Sequence, residues 1–174
     1  GYYLSGREFD SSEITYLVDS VYSSKVLPPN AVTEIVKKLA GFSSVYERKE
    51  YKHLFKPMLD TGVNKQYFFN IDVLNTAIEK RHKVKFDYLS FNSVGGKVNE
   101  VRKSHIVSPY FMVNNNGKYY LVCNKDGKTT LSNYKIENIV DIEELEDDAI
   151  KIEQFVEKDK KFDENAYIND HIYM

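Results

Sequence analysis

The apolar residues of this chain change period at about residue 82, and that change limits what it can fold into. Before it, Val73, Leu74, Ala77, Ile78 and Arg81 lie along one side of a helix that Asn70 is placed to cap. After it, Val84, Phe86 and Tyr88 alternate with Lys85, Asp87 and Leu89, the pattern of a half-buried strand. Turn signals then recur at short intervals. Gly95-Gly96 reads as a turn, and residues 98–113 read as extended with a break near Pro109. Asn116-Gly117 is a hairpin signal, because a type I′ turn needs positive φ at both central residues. Residues 119–123 form the return strand, and Asp126-Gly127 is a second such turn. Residues 129–134 and 140–145 complete about five short antiparallel strands. One helix followed by such strands is the profile of a small β-barrel.

The N-terminal third keeps the helical period. Asp10-Ser11-Ser12-Glu13 is a capping-box pattern, followed by Ile14, Leu17, Val18 and Val21. Pro28-Pro29 ends that helix and leaves Asn30 as the next cap. Val32, Ile35, Val36 and Leu39 make a second stripe, with Gly41 where a helix stop belongs. Residues 47–55 read as a weaker third helix and 57–65 as loop. At the far end, residues 141–148 turn acidic, 149–174 read as a linker entering another element, and Asp163 is placed to cap a final helix.

Charge is distributed unevenly. Residues 70–140 hold 11 Lys+Arg against 6 Asp+Glu, net +5, and residues 141–174 hold 4 against 12, net −8. A basic middle attracts anions; the plainer reading is a solvated mixed surface with an acidic linker. No stretch approaches the roughly 18 apolar residues of a membrane span. The single cysteine, Cys123, leaves no internal disulfide and fits a reducing cytoplasm. The chain opens on Gly1 rather than Met, so it is expected to be a fragment lacking its N-terminal part.

Arg102, Lys103 and His105 share one strand, with Arg102 facing away from the other two if the strand is regular. Cations that track phosphates, beside rings that stack bases, are what single-stranded nucleic acid requires. Tyr88, Tyr119, Tyr120 and Tyr134 supply candidate rings, and Tyr119 and Tyr120 must point to opposite faces. The plainer reading makes the inward tyrosine core and the outward one an ordinary strand aromatic. His53, His82, His105 and His171 have no metal-ligand spacing, so no metal is expected. Ser104 would face away from His105, which leaves that histidine without a nucleophile. The acidic 143–148 run lacks the spaced ligands of a calcium loop, and Gly95-Gly96-Lys97 lacks the rest of a phosphate loop. Cys123 shares a face with Tyr119 and Leu121 and reads as a buried structural thiol.

These segments, taken in order, resemble WYL domains. A helix ends in the basic stretch Lys80-Arg81-His82-Lys83, and a strand ends at Tyr88. A strand led by Arg102 runs to Pro109, and Tyr119-Tyr120-Leu121 stands at the name motif. Tyr134-Lys135-Ile136-Glu137-Asn138-Ile139 is similar to the segment that follows it, with Lys135 and the uncharged Asn138 where the family has arginines. The first residues and the 13–25 helix resemble the bridge that follows a helix-turn-helix in such regulators, and residues 167–174 resemble the start of their C-terminal extension.

The resemblance implies an α+β chain in three parts. Residues 1–66 are a helical bridge or dimerisation segment, in which Leu17, Val21, Val36 and Leu39 form apolar faces and Tyr16 and Tyr22 extend a partner surface. Residues 67–146 are an Sm/SH3-like five-stranded antiparallel β-barrel. Residues 147–174 are an acidic linker and the start of a short C-terminal helical extension. The implied function is the effector-sensing fragment of a bacterial transcription regulator, cytoplasmic and homodimeric, without enzyme activity or cofactor. Single-stranded nucleic acid or a nucleotide would be held by Tyr88, Arg102, Lys103, His105, Tyr119, Tyr120 and Lys135. Duplex DNA would be bound by a helix-turn-helix domain absent from the chain. The alternative is a protein-interaction module with no ligand of its own. A nuclease-like enzyme fails for want of a paired acid–base or metal constellation.

Overall fold

A computed structural model describes residues 9–24, 26–42, 66–94, 97–155 and 161–172. The expected third helix over 47–55, and the loop after it, lie outside the described residues. The chain divides into two compact units, residues 1–63 and 64–174.

The first unit contains α1 (Ser11–Ser24) and α2 (Pro29–Gly41), which pack on each other. Both arms of the capping box form. The Glu13 amide donates to Asp10 Oδ1 at 2.9 Å and the Asp10 amide to Glu13 Oε2 at 2.8 Å. Ile14 and Val18 of α1 and Val32, Val36 and Ala40 of α2 are buried, whereas Leu17, Val21 and Leu39 are only half-buried. α2 begins one residue before the expected cap. Pro29 stands at the first helical position, where its missing N–H costs nothing, Pro28 is the cap, and Asn30 falls inside the first turn.

The second unit opens with α3 (Tyr67–Lys80). The sequence places Asn70 as its cap, but the helix starts a turn earlier and buries Asn70 completely. Its Nδ2 donates to the Ile139 carbonyl at 2.7 Å, so the residue that was to begin the helix instead bonds it to the sheet. Tyr67, Asn70, Leu74 and Ala77 make the buried face. Arg81 ends the helix in the left-handed region, φ 60 and ψ 43.

Five strands follow: β1 (His82–Val94), β2 (Lys97–Asn115), β3 (Lys118–Lys125), β4 (Leu131–Lys135) and β5 (Ile139–Asp148). They form one antiparallel sheet in the order β4-β3-β2-β1-β5. The two edge strands, β4 and β5, are joined by a single 3₁₀ turn, Ile136–Asn138, with no ladder between them among the described residues. The sheet is therefore open, and the expected closed Sm/SH3-like barrel is corrected to a five-stranded antiparallel sheet with α3 packed on it. Asn116-Gly117 makes its hairpin with both φ values positive, 52 and 78. At the second turn only Gly127 has positive φ, so Asp126-Gly127 is a different turn from the expected one.

Strand β2 does not break at Pro109. It continues through it and carries a bulge at Tyr110, between the pairs Pro109↔Cys123 and Phe111↔Val122. The N-terminal part of β2, up to Val107, pairs with β1, and from Val107 onward it pairs with β3; Val107 is the one residue in both ladders. Strand parity puts Val84, Phe86, His105, Val107, Leu121 and Cys123 on one face. All are buried there, with Leu74, Ala77, Ile136 and Ile139, as a core. Burying each such large apolar side chain contributes about 1.5–3 kcal/mol. The other face of β2–β3–β4 is covered by α4 (Glu164–His171). Asp163 caps α4 as the sequence predicts, accepting from the Ala166 amide at 3.0 Å. Among the described residues no helix is long and apolar enough to cross a membrane.

Candidate functional site

On the inner face three rings meet around one histidine. Phe86 stands opposite His105 in the β1–β2 register, and Tyr88 stands opposite Lys103. Tyr134 reaches the same place from β4 through its pairing with Leu121. The Tyr88–Tyr134 centroids are 4.9 Å apart, edge to face, and His105 lies 5.2 Å from Tyr134, 5.9 Å from Phe86 and 6.5 Å from Tyr88. His105 is buried and Phe86 fully so, while Tyr88 and Tyr134 are half-buried at the margin. Asn138, at the end of the 3₁₀ turn, donates from Nδ2 to the Tyr88 hydroxyl at 3.4 Å.

The electrostatics separate this floor from its rim. Burial, then the charges of Lys125 and Lys103, push the His105 imidazole below its usual range, so it is neutral at pH 7. Its Nδ1 is enclosed and has no partner among the described residues. Burial pushes the Tyr134 hydroxyl up to about 12. Lys103 is exposed and Lys125 half-buried, and neither makes an ion pair among the described residues. The result is a neutral aromatic floor beside two uncommitted cations. Such an arrangement can stack a planar ring and hold an anionic group next to it. Among the described residues no group of three or more His, Cys, Asp or Glu side chains is placed to hold a metal ion.

The seven residues expected from sequence divide among separate places. Tyr88, Lys103 and His105 are brought together. Arg102 faces the other way, as the alternation predicts. There its Nε donates to Asp87 Oδ2 at 2.6 Å and its Nη2 to Asp141 Oδ2, so it joins β1 to β5 rather than standing free. Asp87 is held below the usual carboxylate range by that guanidinium. Tyr120 lies on the face covered by α4, against Val113, Val122 and Ile172. Lys135 is its cross-strand partner on that same face. Tyr119 has the inner parity but stands at the far end of β3, opposite Asn114 and beside Tyr67.

Sequence reasoning left Lys125 out, and counted Tyr134 only among possible rings. Parity back from Cys123 would have put Lys125 on the inner face.

Residues 70–144 match the family model of the WYL domain. The match takes in α3 from Asn70 onward, β1 to β4, β5 as far as Glu144, and every residue of the aromatic cluster. No curated protein matches the chain. Among solved structures, Proteasome accessory factor B/C (PafBC) of Arthrobacter aurescens aligns at 14% identity and a TM-score of 0.43. That alignment covers 88% of this chain and 23% of the other. A likeness at that level carries no argument here.

Proposed function

We propose that the WYL segment is the sensing part of a cytoplasmic transcription regulator and takes single-stranded nucleic acid or a nucleotide. The observation that carries this reading is the Tyr88–Tyr134 ring pair over a neutral His105, with Lys103 and Lys125 uncommitted beside it. A base stacks on the tyrosines, and the lysines take the neighbouring phosphates. Arg102 positions strands and does not touch the ligand. Occupancy biases duplex-DNA binding by a helix-turn-helix domain elsewhere in the regulator, through a homodimer that uses the exposed Tyr16 side of α1. No catalytic step is assigned.

Fluorescence anisotropy of a labelled single-stranded oligonucleotide, repeated across salt concentrations, tests this. Saturable binding is expected, with Lys103→Ala and Lys125→Ala each lowering the salt slope by about 0.7. Tyr134→Leu is expected to weaken binding by about 1–3 kcal/mol, the loss of one stacked base. Phe68 and Phe69, exposed on the first turn of α3, favour a second reading in which the unit docks on a protein. Absence of salt-dependent binding would leave that second reading standing.

A further inference from the structure

A cleft of about 500 Å³, separate from the aromatic cluster, opens where the end of α3 meets the bulge of β2 and the segment after β5. That is within the usual size of a small-molecule site, roughly 300–1,000 Å³. Hydrogen bonds fix its walls. The Ala149 amide donates to the carbonyl of Arg81 at 2.8 Å, and the Ile150 amide donates to the buried Ser108 hydroxyl at 2.9 Å. Two of its lining residues stand at local irregularities of the backbone. Arg81 holds a left-handed conformation that a non-glycine residue adopts only at a cost, and Tyr110 occupies the bulge. The Tyr110 hydroxyl is enclosed, kept protonated by burial, and has no partner among the described residues.

The lining has three chemistries. Ile78, Phe111, Ile150 and Ile152 make it apolar. At its exposed rim Arg81 and Lys151 are cations and Glu153 and Glu164 are carboxylates, and none of the four is in an ion pair among the described residues. A plain anion here would meet two carboxylates, and a plain cation would meet two cations. A ligand that carries both charges on one apolar body satisfies all of them.

We propose that this cleft binds an apolar α-amino acid. Its carboxylate takes Arg81 and Lys151, its ammonium takes Glu153 and Glu164, and its side chain lies on the apolar wall. The site is independent of the nucleic-acid reading, which concerns other residues.

Calorimetric titration of the whole chain with L-phenylalanine and L-leucine tests it, beside 3-phenylpropionate and 2-phenylethylamine, which each lack one charge. Saturable binding of one amino acid is expected, with both single-charge analogues weaker by about tenfold or more. Arg81→Asn keeps a residue that tolerates the left-handed conformation and is expected to weaken binding similarly, as is Glu164→Gln. Arg81→Asn should leave oligonucleotide binding as it was, which separates this site from the aromatic cluster. No saturable heat up to about 1 mM, equal binding of 3-phenylpropionate, or full affinity in both variants overturns the proposal.

Discussion

Asn70 distinguishes local from tertiary determination of this fold. As a helix cap it would act through its side-chain oxygen, and Asp would replace it at little cost. In the structure it acts through its nitrogen, which donates to the Ile139 carbonyl at 2.7 Å from a fully buried position. Asn70→Ala removes a net hydrogen bond of about 1 kcal/mol and strands part of a buried acceptor for about 1–3 kcal/mol. Better helix propensity and loss of the unpartnered Oδ1 offset a few tenths of that. A net loss of about 1.5–3.5 kcal/mol is expected, lowering the melting temperature by roughly 6–20 °C in a unit of this size. Asn70→Asp should be worse at neutral pH, because it substitutes a buried charge facing a carbonyl for the donor. Burial raises that carboxyl above its unfolded value of about 3.9, so the extra deficit grows as pH rises through that value and shrinks below it. Urea denaturation of the three proteins at pH 7 and pH 4 measures both effects. Asn70→Asp as stable as the parent at pH 7 would refute the reasoning and restore the cap.

Arg102→Ala is expected to lower the melting temperature, more at low salt than at high salt, while oligonucleotide binding is retained; lost binding with an unchanged melting curve would contradict its role as a clasp. His105 has its pKa depressed from 6.5, so the unfolded chain binds the proton first and stability is lost as pH falls below about 6.5. Unfolding midpoints between pH 8 and pH 5 should fall less steeply in His105→Phe, and parallel profiles would refute this. Cys123 is fully buried and its thiol pushed up by burial, so iodoacetamide at pH 8 should label it only in urea; rapid labelling of the native chain would mean that β3 opens.

Features set by neighbouring residues were legible in the sequence. The capping box at Asp10 and Glu13, the cap at Asp163 and the Asn116-Gly117 turn each depend on side chain and backbone within four residues. The alternation through Val84 and Phe86 also identifies the buried face, because parity is a local property. What the sequence withheld depends on distant partners. Asp141 takes Arg102 from 39 positions away, Ile139 takes Asn70 from 69, and α4 covers the face that presents Tyr120. Whether the sheet closes depends on where its two edges come to lie, and no residue pattern in β4 or β5 states that. Parity separated Arg102 from His105 correctly, but only the fold says which side is enclosed.

The single-residue overlap at Val107 gives the sheet the mechanics of two leaves on one spine. The leaf of β1 and β5 carries Tyr88, and the leaf of β3 and β4 carries Tyr134, so a base gripped by both tyrosines is gripped across the spine. Flexing β2 at Val107, where the two ladders meet, would change the gap between the rings, and a bound base would in turn set that angle. Amide exchange should register this as two protection groups that meet at Val107 and merge into one when ligand is present.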